Sequence, residues 1–299
     1  MKQPLVSVLM TAYNREKYIA EAIESVLASS YTNWELIVVD DQSLDNTVAI
    51  AKSYAFKDTR IRVYINEKNL GDYRNRNQAA AYANGVYLKY LDADDMIYPH
   101  GIEAMVNAMQ QFPEAAYGFS FFGEQDDTVK YPILYTPEQA YNEHFLVKSF
   151  FYQGPGGAII RKKFFDEVGG FSGKRYIGDT ELWLKLSLKN NCIVFWPTLI
   201  WWRKHEQQEN VHESKDYEAL VSRHLLLIDF LKQDNPMSVD QNNRAILNFT
   251  RIYCHKIIRF FLSGNFEASN VLLKGYPVSA AKLLLSLIPI NRINRMFIF

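Results

Sequence analysis

Two acidic segments follow strand-like runs within the first hundred residues, and they offer the clearest chemistry in the chain. The sequence DADD at residues 92–95 comes directly after the mostly apolar run 86–91, and Asp40 and Asp41 follow the apolar run 34–39. Short apolar runs of this kind are typical of buried strands. Carboxylates at the carboxyl ends of such strands lie in the crevice where open α/β sheets bind ligands, and alternating acids bind one hard divalent ion. The pattern therefore predicts a site that suits a nucleoside diphosphate.

The segments that must position these acids alternate between strand-like and helix-like patterns over residues 6–91, which predicts a parallel sheet. The turn at residues 11–15 has no glycine fingerprint of a dinucleotide-binding fold, and the chain has no phosphate-loop G-K-[ST] signature. Asp45 or Asn46 is expected to cap the helix that begins at Thr47, because short polar side chains accept hydrogen bonds from the first helical amides.

The middle of the chain is less regular. Residues 123–137 show no clear periodicity, which predicts an insertion or a flexible loop near the acceptor side. A glycine-rich stretch follows at residues 154–157, ahead of the apolar run 158–160. Glycine relieves backbone strain in any tight turn, so this stretch by itself favours a turn over a binding loop.

Composition limits the class of protein. The 299 residues include 33 basic and 33 acidic ones, so no global electric field favours nucleic acid as a partner. Cys192 and Cys254 form neither a disulfide framework nor a metal-ligand spacing, which favours a reducing compartment. Charged residues follow the first apolar stretch too soon for a signal peptide, so we expect a cytoplasmic protein.

In order and spacing, several segments resemble family 2 glycosyltransferases of the GT-A fold. They are the strand 6–10 with Thr11-Ala12-Tyr13-Asn14, the helix 18–27, Asp40-Asp41, Asn69-Leu70-Gly71 with Arg76-Asn77, and Asp92-Ala93-Asp94. The similarity covers roughly the first two thirds of the chain. It implies an α/β fold with a Rossmann-like, mostly parallel central sheet and flanking helices. We expect a GT-A catalytic domain at 1–214, with a nucleotide-sugar half (1–100) and an acceptor half (101–214), and a helical extension at 215–299.

The resemblance also implies roles for individual residues. The nucleotide-binding set is Thr11, Tyr13, Asn14, Asp41, Arg76, Asp92 and Ala93, in which Asp41 contacts the base. The DXD motif, Asp92 and Asp94, holds a divalent metal, Mn²⁺ or Mg²⁺. For two of these residues a purely structural role is the alternative to nucleotide binding. Arg76 would then be a solvated surface residue, and Tyr13 would be an aromatic residue of the core.

The acceptor side centres on Asp179. By resemblance this carboxylate is the base that deprotonates the acceptor hydroxyl, with Glu181 as the reserve candidate. Gly178 stands where the family commonly has the first acid of a pair, which is a departure from the pattern. Asp179 as a helix cap is compatible with the same role, since a helix N-terminus stabilises a carboxylate.

His205 follows Trp201-Trp202-Arg203-Lys204 in a segment that resembles the family's aromatic-arginine-x-histidine motif. The resemblance puts this histidine near the diphosphate or the metal, so we list it as a third metal ligand. A structural histidine is an equal alternative. The polar residues 206–213 beyond it are expected to form a mobile loop that closes over the donor.

Beyond residue 215 the sequence reads as helices, including 217–232 and 240–262. No acidic residue occurs after Glu267, while lysines and arginines accompany apolar residues. That combination suits peripheral contact with an anionic membrane, and a homodimer contact is an equal alternative. The apolar segment before Pro289 is too short to span a bilayer.

Together these features predict an inverting, metal-dependent glycosyltransferase that moves a sugar from a nucleoside diphosphate sugar, with UDP favoured, to a glycan or lipid-linked hydroxyl. The setting implied by the family is surface polysaccharide synthesis, at the inner face of the cell membrane. A transferase for a soluble or protein acceptor is one alternative. A catalytically silent nucleotide-sugar scaffold, motivated by Gly178, is the other.

Overall fold

The computed structural model describes residues 3–120, 128, 130–148, 150–196, 199–205 and 216–287. Its residues form two compact units. The first unit consists of Met1–Thr136, Gln153–Leu186 and Asn190–Lys204, and the second of Pro137–Tyr152, Ser187–Lys189 and His205–Phe299. Residues 137–152 thus group with the C-terminal helices. The domain boundary predicted at residue 214 lies outside the described residues.

The first unit is built on ten strands among the described residues. They are β1 (Val6–Ala12), β2 (Trp34–Asp40), β3 (Ile61–Ile65), β4 (Tyr87–Tyr90), β5 (Met96–Ile97), β6 (Ala115–Ser120), β7 (Ile133–Tyr135), β8 (Ala158–Arg161), β9 (Asn191–Phe195) and β10 (Ile200–Trp201). Eight of them form one sheet in the order β3-β2-β1-β4-β8-β6-β9-β7, and β5 pairs with β10.

The half of the sheet that carries the acidic segments is parallel. Strands β3, β2, β1 and β4 are parallel neighbours, whereas β8 runs antiparallel between β4 and β6. Every residue of β2 is buried, as expected for a parallel strand with both faces covered. The predicted α/β fold with a mostly parallel central sheet is confirmed.

Helices flank this sheet: α1 (Ile19–Leu27), α2 (Thr47–Ala55), α3 (Asp72–Ala81), α4 (Gly101–Gln111), α6 (Lys162–Glu167) and α7 (Gly178–Ser187). In α1 the buried residues recur at helical spacing, with Ile19, Ile23 and Val26 in the main core. At the start of α2, Asp45 Oδ1 accepts the Thr47 amide at 3.0 Å, while Asn46 makes no side-chain cap. Of the two predicted caps, Asp45 is therefore the one that bonds the helix start.

The prediction of an irregular loop at residues 123–137 is wrong in its last part. Residues 133–135 form β7, which pairs antiparallel with β9. All three are only half-buried. A short strand of this kind depends on a partner about sixty residues away, which local periodicity cannot report. Residues 121–127 and 129 lie outside the described part of the chain.

The second unit is helical in its described residues. It contains α5 (Pro137–Asn142), a π-helical turn at Glu143–Val147, α8 (Tyr217–Lys232), α9 (Val239–Leu262), α10 (Phe266–Gly275) and α11 (Ala280–Ser286). Side chains of Asp216, Ser238 and Asn265 cap the starts of α8, α9 and α10. The predicted helices at 217–232 and 240–262 are confirmed, and the predicted mobile segment 206–213 lies outside the described residues.

Among the described helices, none combines the length and apolar character needed to cross a bilayer. The amphipathic packing in this unit centres on Val221, Tyr253, Ile257 and Leu272, which form a small buried cluster.

A buried histidine adjoins this cluster. The imidazole of His224 stacks on Tyr253 at a centroid distance of 4.1 Å and meets the edge of Tyr276 at 4.5 Å. Burial, with smaller contributions from Lys256 and Lys232, lowers the pKa of His224 to about 4. The folded protein therefore holds this ring neutral.

We predict that His224 makes the protein acid-sensitive. The unfolded chain protonates this ring below about pH 6.5, whereas the folded chain does so only near pH 4. The free energy of unfolding should therefore fall by about 3 kcal/mol at most as the pH decreases from 6.5 to 4. His224→Phe keeps an aromatic ring in place and should flatten this part of the stability curve. Urea unfolding at pH 7, 5.5 and 4.5 measures it.

The control for this measurement is His255→Phe, which makes the same replacement at an exposed histidine of the same unit. This variant should retain the wild-type dependence on pH. Parallel pH profiles for wild type and His224→Phe would contradict the assignment.

Candidate active site

The two acidic segments meet at one edge of the sheet. Ala12 at the end of β1 pairs with Asp40 at the end of β2, and the Asp41 amide donates to the Ala12 carbonyl at 2.8 Å. On the other side of β1, the Leu91 amide donates to the Leu9 carbonyl at 3.0 Å. Because β1, β2 and β4 are parallel, their carboxyl ends lie side by side. The residues after all three strands therefore share the crevice at this edge.

Three carboxylates gather after β4. Asp92, Asp94 and Asp95 each offer one oxygen within 4.8 Å of the others, and the Asp95 amide closes the turn on the Asp92 carbonyl at 3.0 Å. Carboxylate oxygens are hard ligands, so this donor set fits Mg²⁺ or Mn²⁺ better than a thiol-seeking metal. The sequence analysis named Asp92 and Asp94 for this role and did not name Asp95. Ala93 between them is buried.

The closeness of the three carboxylates affects the pKa of Asp95. Burial, and then the negative charge of Asp92, raise the pKa of Asp95 to about 8. Asp95 Oδ1 also accepts the Arg203 amide at 3.0 Å. Like charges in a poorly solvated turn disfavour ionisation, and a bound cation would reverse that preference.

Arg76 on α3 faces the cluster. Its Nη2 lies 2.7 Å from Asp92 Oδ1, and its Nε lies 2.9 Å from Asp72 Oδ1. Although burial opposes the charged form, Asp72 and Asp92 raise the pKa of Arg76 above its ordinary value. Only 7% of the residue is exposed, so the surface alternative is wrong. Nη1 is buried without a hydrogen-bond partner among the described residues.

Lys89 is a residue that the sequence analysis missed. It is fully buried in β4, and its ammonium donates to the carbonyls of Tyr90 and Gly156. Burial lowers the pKa of Lys89 to about 7, against the opposing effect of Asp92 and Asp95. Through this side chain the glycine-rich turn at 154–157 is tied to the strand that carries the acids. The available signal was a lone lysine in an apolar run.

Asp41 is almost completely buried, at 3% exposure. Its carboxylate accepts from Asn66 Nδ2 at 2.7 Å and from the amides of Leu70 and Gly71 at 2.8 and 2.9 Å. These bonds fix the loop between β3 and α3. An ionised carboxylate has about four acceptor positions, so one remains for a ligand. Its predicted contact with the base stays a prediction.

The end of β1 and the turn after it carry the other expected nucleotide contacts, Thr11, Tyr13 and Asn14. Tyr13 is 46% exposed, so the core alternative for this ring is wrong. Asn14 has a φ of 53°, and its amide donates to Ser43 Oγ at 2.8 Å. The Leu44 amide donates back to Asn14 Oδ1 at 2.8 Å. The turn is thus tied to the loop after β2, and the nucleotide roles stay predictions.

The segment that follows β10 folds onto the acidic turn. Arg203 Nε donates to the Asp94 carbonyl at 2.9 Å, and its guanidinium lies over the rings of Tyr18 and Trp201 at 4.9 and 4.7 Å. Sequence analysis singled out His205 in this segment, whereas the contacts of the first unit involve Arg203. His205 belongs to the second unit, and its role as a metal ligand stays a prediction.

Asp179 lies at the start of α7, where its Oδ1 accepts the Thr180 amide at 2.7 Å. The Asp179 amide bonds the phenol oxygen of Tyr73, and burial, followed by the Asp179 charge, raises the pKa of Tyr73 well above its ordinary value. The reserve candidate Glu181 is buried and already paired, with Lys174 Nζ at 3.0 Å and with the Ser172 hydroxyl. Of the two, Asp179 is the more accessible carboxylate.

A comparison with protein families supplies the decisive observation. Residues 7–169, more than half of the chain, match the model of glycosyl transferase family 2. The chain belongs to glycosyl transferase family 2. The resemblance noted from the sequence is thereby confirmed.

Two curated relatives of this family 2 chain illustrate the match. A glycosyltransferase of Rickettsia typhi (strain ATCC VR-144 / Wilmington), described as uncharacterized, is 31% identical over 229 residues, which cover 73% of this chain and 71% of that protein. UDP-Glc:alpha-D-GlcNAc-diphosphoundecaprenol beta-1,3-glucosyltransferase WfgD of Escherichia coli is 41% identical over 109 residues, or 36% of this chain and 42% of WfgD. Three of the curated relatives are matched over 39%, 54% and 42% of their own length.

Among solved structures, S. aureus TarS 1-349 in complex with UDP-GlcNAc superposes with a TM-score of 0.69 at 19% identity. The match covers 90% of this chain and 79% of the TarS chain. At that level of identity the similarity concerns the fold.

The packing around Gly178 gives the absence of a first acid a physical explanation. A Cβ atom at this position would lie 2.8 Å from two ring carbons of Tyr73 and 2.9 Å from a third. The Tyr73 ring is held by Phe171 at a centroid distance of 5.2 Å. The space that a first acid would need at the start of α7 is therefore filled by a side chain from α3.

We predict that Gly178→Ala destabilises the protein by about 1–3 kcal/mol, because the new methyl group overlaps the Tyr73 ring. In a Tyr73→Ala background the same change should cost less than about 0.5 kcal/mol. Urea unfolding of the wild type, the two single variants and the double variant in a double-mutant cycle measures this coupling.

Gly154→Ala is the matched control, since a Cβ atom at residue 154 meets nothing within 4 Å and the backbone φ is −66°. An equal cost for Gly178→Ala in both backgrounds would show that the ring is not the obstacle.

Proposed function

We propose that this family 2 chain is an inverting glycosyltransferase that uses a nucleoside diphosphate sugar, with UDP as the favoured nucleotide. The observation that carries the proposal is the group of three carboxylates at the carboxyl end of β4, together with the buried, unpartnered Nη1 of Arg76 beside it. A carboxylate cluster attracts a cation, and the Nη1 donor that Asp72 and Asp92 leave unpartnered on the neighbouring guanidinium suits an acceptor oxygen such as that of a phosphate. A metal-diphosphate pair satisfies both.

On the donor side, Asp92 and Asp94 would hold a divalent cation, and Asp95 is a further candidate ligand. When bound, such a cation supplies charge neutralisation for the departing diphosphate. Arg76 would add a fixed positive charge through Nη1, and the exposed ring of Tyr13 offers a surface for the base. The β1–α1 turn is already tied to the next loop, so these groups need little reorganisation on binding.

On the acceptor side, Asp179 would accept the proton of the attacking hydroxyl as the bond to the anomeric carbon forms. A general base needs hydrogen-bond reach of the attacking hydroxyl. Asp179 is partly exposed, while Glu181 is buried and paired with Lys174 and Ser172. One attack opposite the leaving diphosphate gives one inversion at the anomeric carbon.

For the acceptor we propose a glycan or lipid-linked hydroxyl in surface polysaccharide synthesis, at the inner face of the cell membrane. The name of WfgD, a glucosyltransferase that acts on a diphosphoundecaprenol-linked sugar, supports this class. Cys192 and Cys254 are buried and are not joined in a disulfide in the described part of the chain, which suits a reducing compartment. A soluble or protein acceptor is the alternative within the same enzyme class.

The alternative hypothesis of a catalytically silent nucleotide-sugar scaffold no longer has an observation in its favour. It rested on the missing acid at Gly178, and the Tyr73 ring gives that absence a steric reason. Asp92, Asp94 and Asp179 are all present, and all three are partly exposed.

The C-terminal helices offer a contact surface. Phe261 and Phe266 pack ring to ring at 5.3 Å and are both more than half exposed, as is Leu262. Peripheral membrane contact and a homodimer are the two occupants we propose for it. Flotation with anionic liposomes and sedimentation of the protein alone distinguish them.

The first test of the donor side is calorimetric titration of UDP, GDP, dTDP and CMP, each with Mn²⁺, with Mg²⁺ and with EDTA. We expect UDP to bind, and more tightly with a metal. Asp94→Ala should abolish the difference between metal and EDTA, because a ligand of the cation is lost.

The control is Asp58→Ala, which removes an acid paired with Arg60 before β3. It should keep the full response to metal. Binding of none of the four nucleotides would refute the donor proposal, and a full metal response in Asp94→Ala would move the metal site elsewhere.

For the acceptor side, Asp179→Asn should lower nucleotide release from UDP-sugars by about 10²–10⁴-fold while UDP binding stays nearly unchanged, since a general base acts mainly in the transition state. Asp166→Asn, at an exposed acid of α6 paired with Lys162, is the control. Turnover equal to wild type in Asp179→Asn would reassign the base.

A further inference from the structure

Arg15 is a cation at the candidate site to which the sequence analysis gave no role. It lies in the turn between β1 and α1, and its Nε is 2.8 Å from Asp94 Oδ2. Its Nη1 donates to the carbonyls of Tyr13 and Asn14 at 3.0 and 3.2 Å. Nη2 has no hydrogen-bond partner in the described part of the chain. The side chain is 22% exposed, so it borders the crevice.

The backbone that carries Arg15 is fixed in place. The Arg15 amide donates to Thr47 Oγ1 at 2.7 Å, and the next amide, that of Glu16, donates to Asp45 Oδ2 at 3.1 Å. With the Asn14 contacts described above, three successive residues are bonded to the loop after β2 or to the first residue of α2. The guanidinium is therefore held at the acidic cluster without a large loss of chain entropy.

The contacts of Arg15 complete a pattern of paired charges. Asp92 faces Arg76 at 2.7 Å, and Asp94 faces Arg15 at 2.8 Å. A divalent cation that binds Asp94 must therefore compete with a guanidinium already in contact with that carboxylate. Two cations near one oxygen repel each other, and the repulsion is strong at a partly buried site.

The competition ends if the guanidinium has another anion to contact. The phosphates of a nucleoside diphosphate match an arginine fork, because the planar donors bind two oxygens at once. Nη2, which has no hydrogen-bond partner in the described part of the chain, would be available to such a ligand while Nη1 stays on the backbone carbonyls.

We propose that Arg15 exchanges partners within the donor site: it neutralises Asp94 while no cation is bound, and it contacts the phosphates of the nucleotide once a cation takes Asp94. The proposal rests on the proposed donor class. It makes the binding of cation and nucleotide cooperative, since each removes an obstacle to the other. The cation alone should bind weakly.

The test uses the full chain and two titrations. Mn²⁺ alone is followed by the electron paramagnetic resonance signal of the free ion, and UDP and uridine are titrated by calorimetry with Mn²⁺ present. Arg15→Ala should bind Mn²⁺ alone several-fold more tightly than wild type, because Asp94 is released. The same variant should bind UDP about tenfold more weakly, with uridine unchanged, because a phosphate contact is lost.

Arg60→Ala is the control, since it removes one positive charge from an exposed ion pair of the same unit. Both of its affinities should equal those of wild type. Arg15→Gln serves as a second variant in case Arg15→Ala does not fold, and it should shift both affinities in the same directions.

Equal or weaker Mn²⁺ binding by the Arg15 variants would overturn the competition for Asp94. An equal loss for UDP and uridine would overturn the phosphate contact and show that Arg15 only holds the turn. A wild-type protein that binds no nucleotide would refute the donor class instead, and the Mn²⁺ titration would still decide whether Arg15 competes.

Discussion

The structure of the first unit depends on one electrostatic constraint: three carboxylates share a short turn at the end of a buried strand. Such crowding is tolerated only where positive charge or proton uptake offsets it. Arg76 from α3 and Arg15 from the β1–α1 turn meet two of the acids, and the third, Asp95, holds its proton to higher pH. Helix, turn and strand are thus brought together by charge as well as by apolar packing.

The same constraint explains why the polar interior extends beyond the acids. Lys89 lies on the strand that leads into the turn, and its ammonium donates to two backbone carbonyls rather than to a carboxylate. One of those carbonyls belongs to Gly156, so the glycine-rich turn is joined to the donor edge by a single ammonium group. A shift of the glycine-rich turn would therefore displace the Lys89 side chain, and a shift of Lys89 would displace the turn.

Much of this organisation follows from the sequence. Alternating apolar runs predicted the parallel half of the sheet, and acids after two runs predicted a shared edge, because strand direction alone decides where carboxyl ends meet. The roles of Arg15, Lys89 and Tyr73 could not be predicted from the sequence. Their roles depend on a side chain or carbonyl far along the chain, as with Arg15 and Asp94, which are 79 residues apart. Propensity and periodicity describe neighbours in sequence and carry no information on such pairs.

The contact between the Tyr73 ring and Gly178 has a consequence for how this chain can change over generations. An acidic side chain at residue 178 would overlap the ring of Tyr73, and loss of the ring alone would leave a void beside the start of α7. Either substitution by itself is costly, although the two together would be compatible. The present pair is therefore a local optimum separated from the two-acid arrangement by a step that selection opposes, and descendants should keep both residues or replace both.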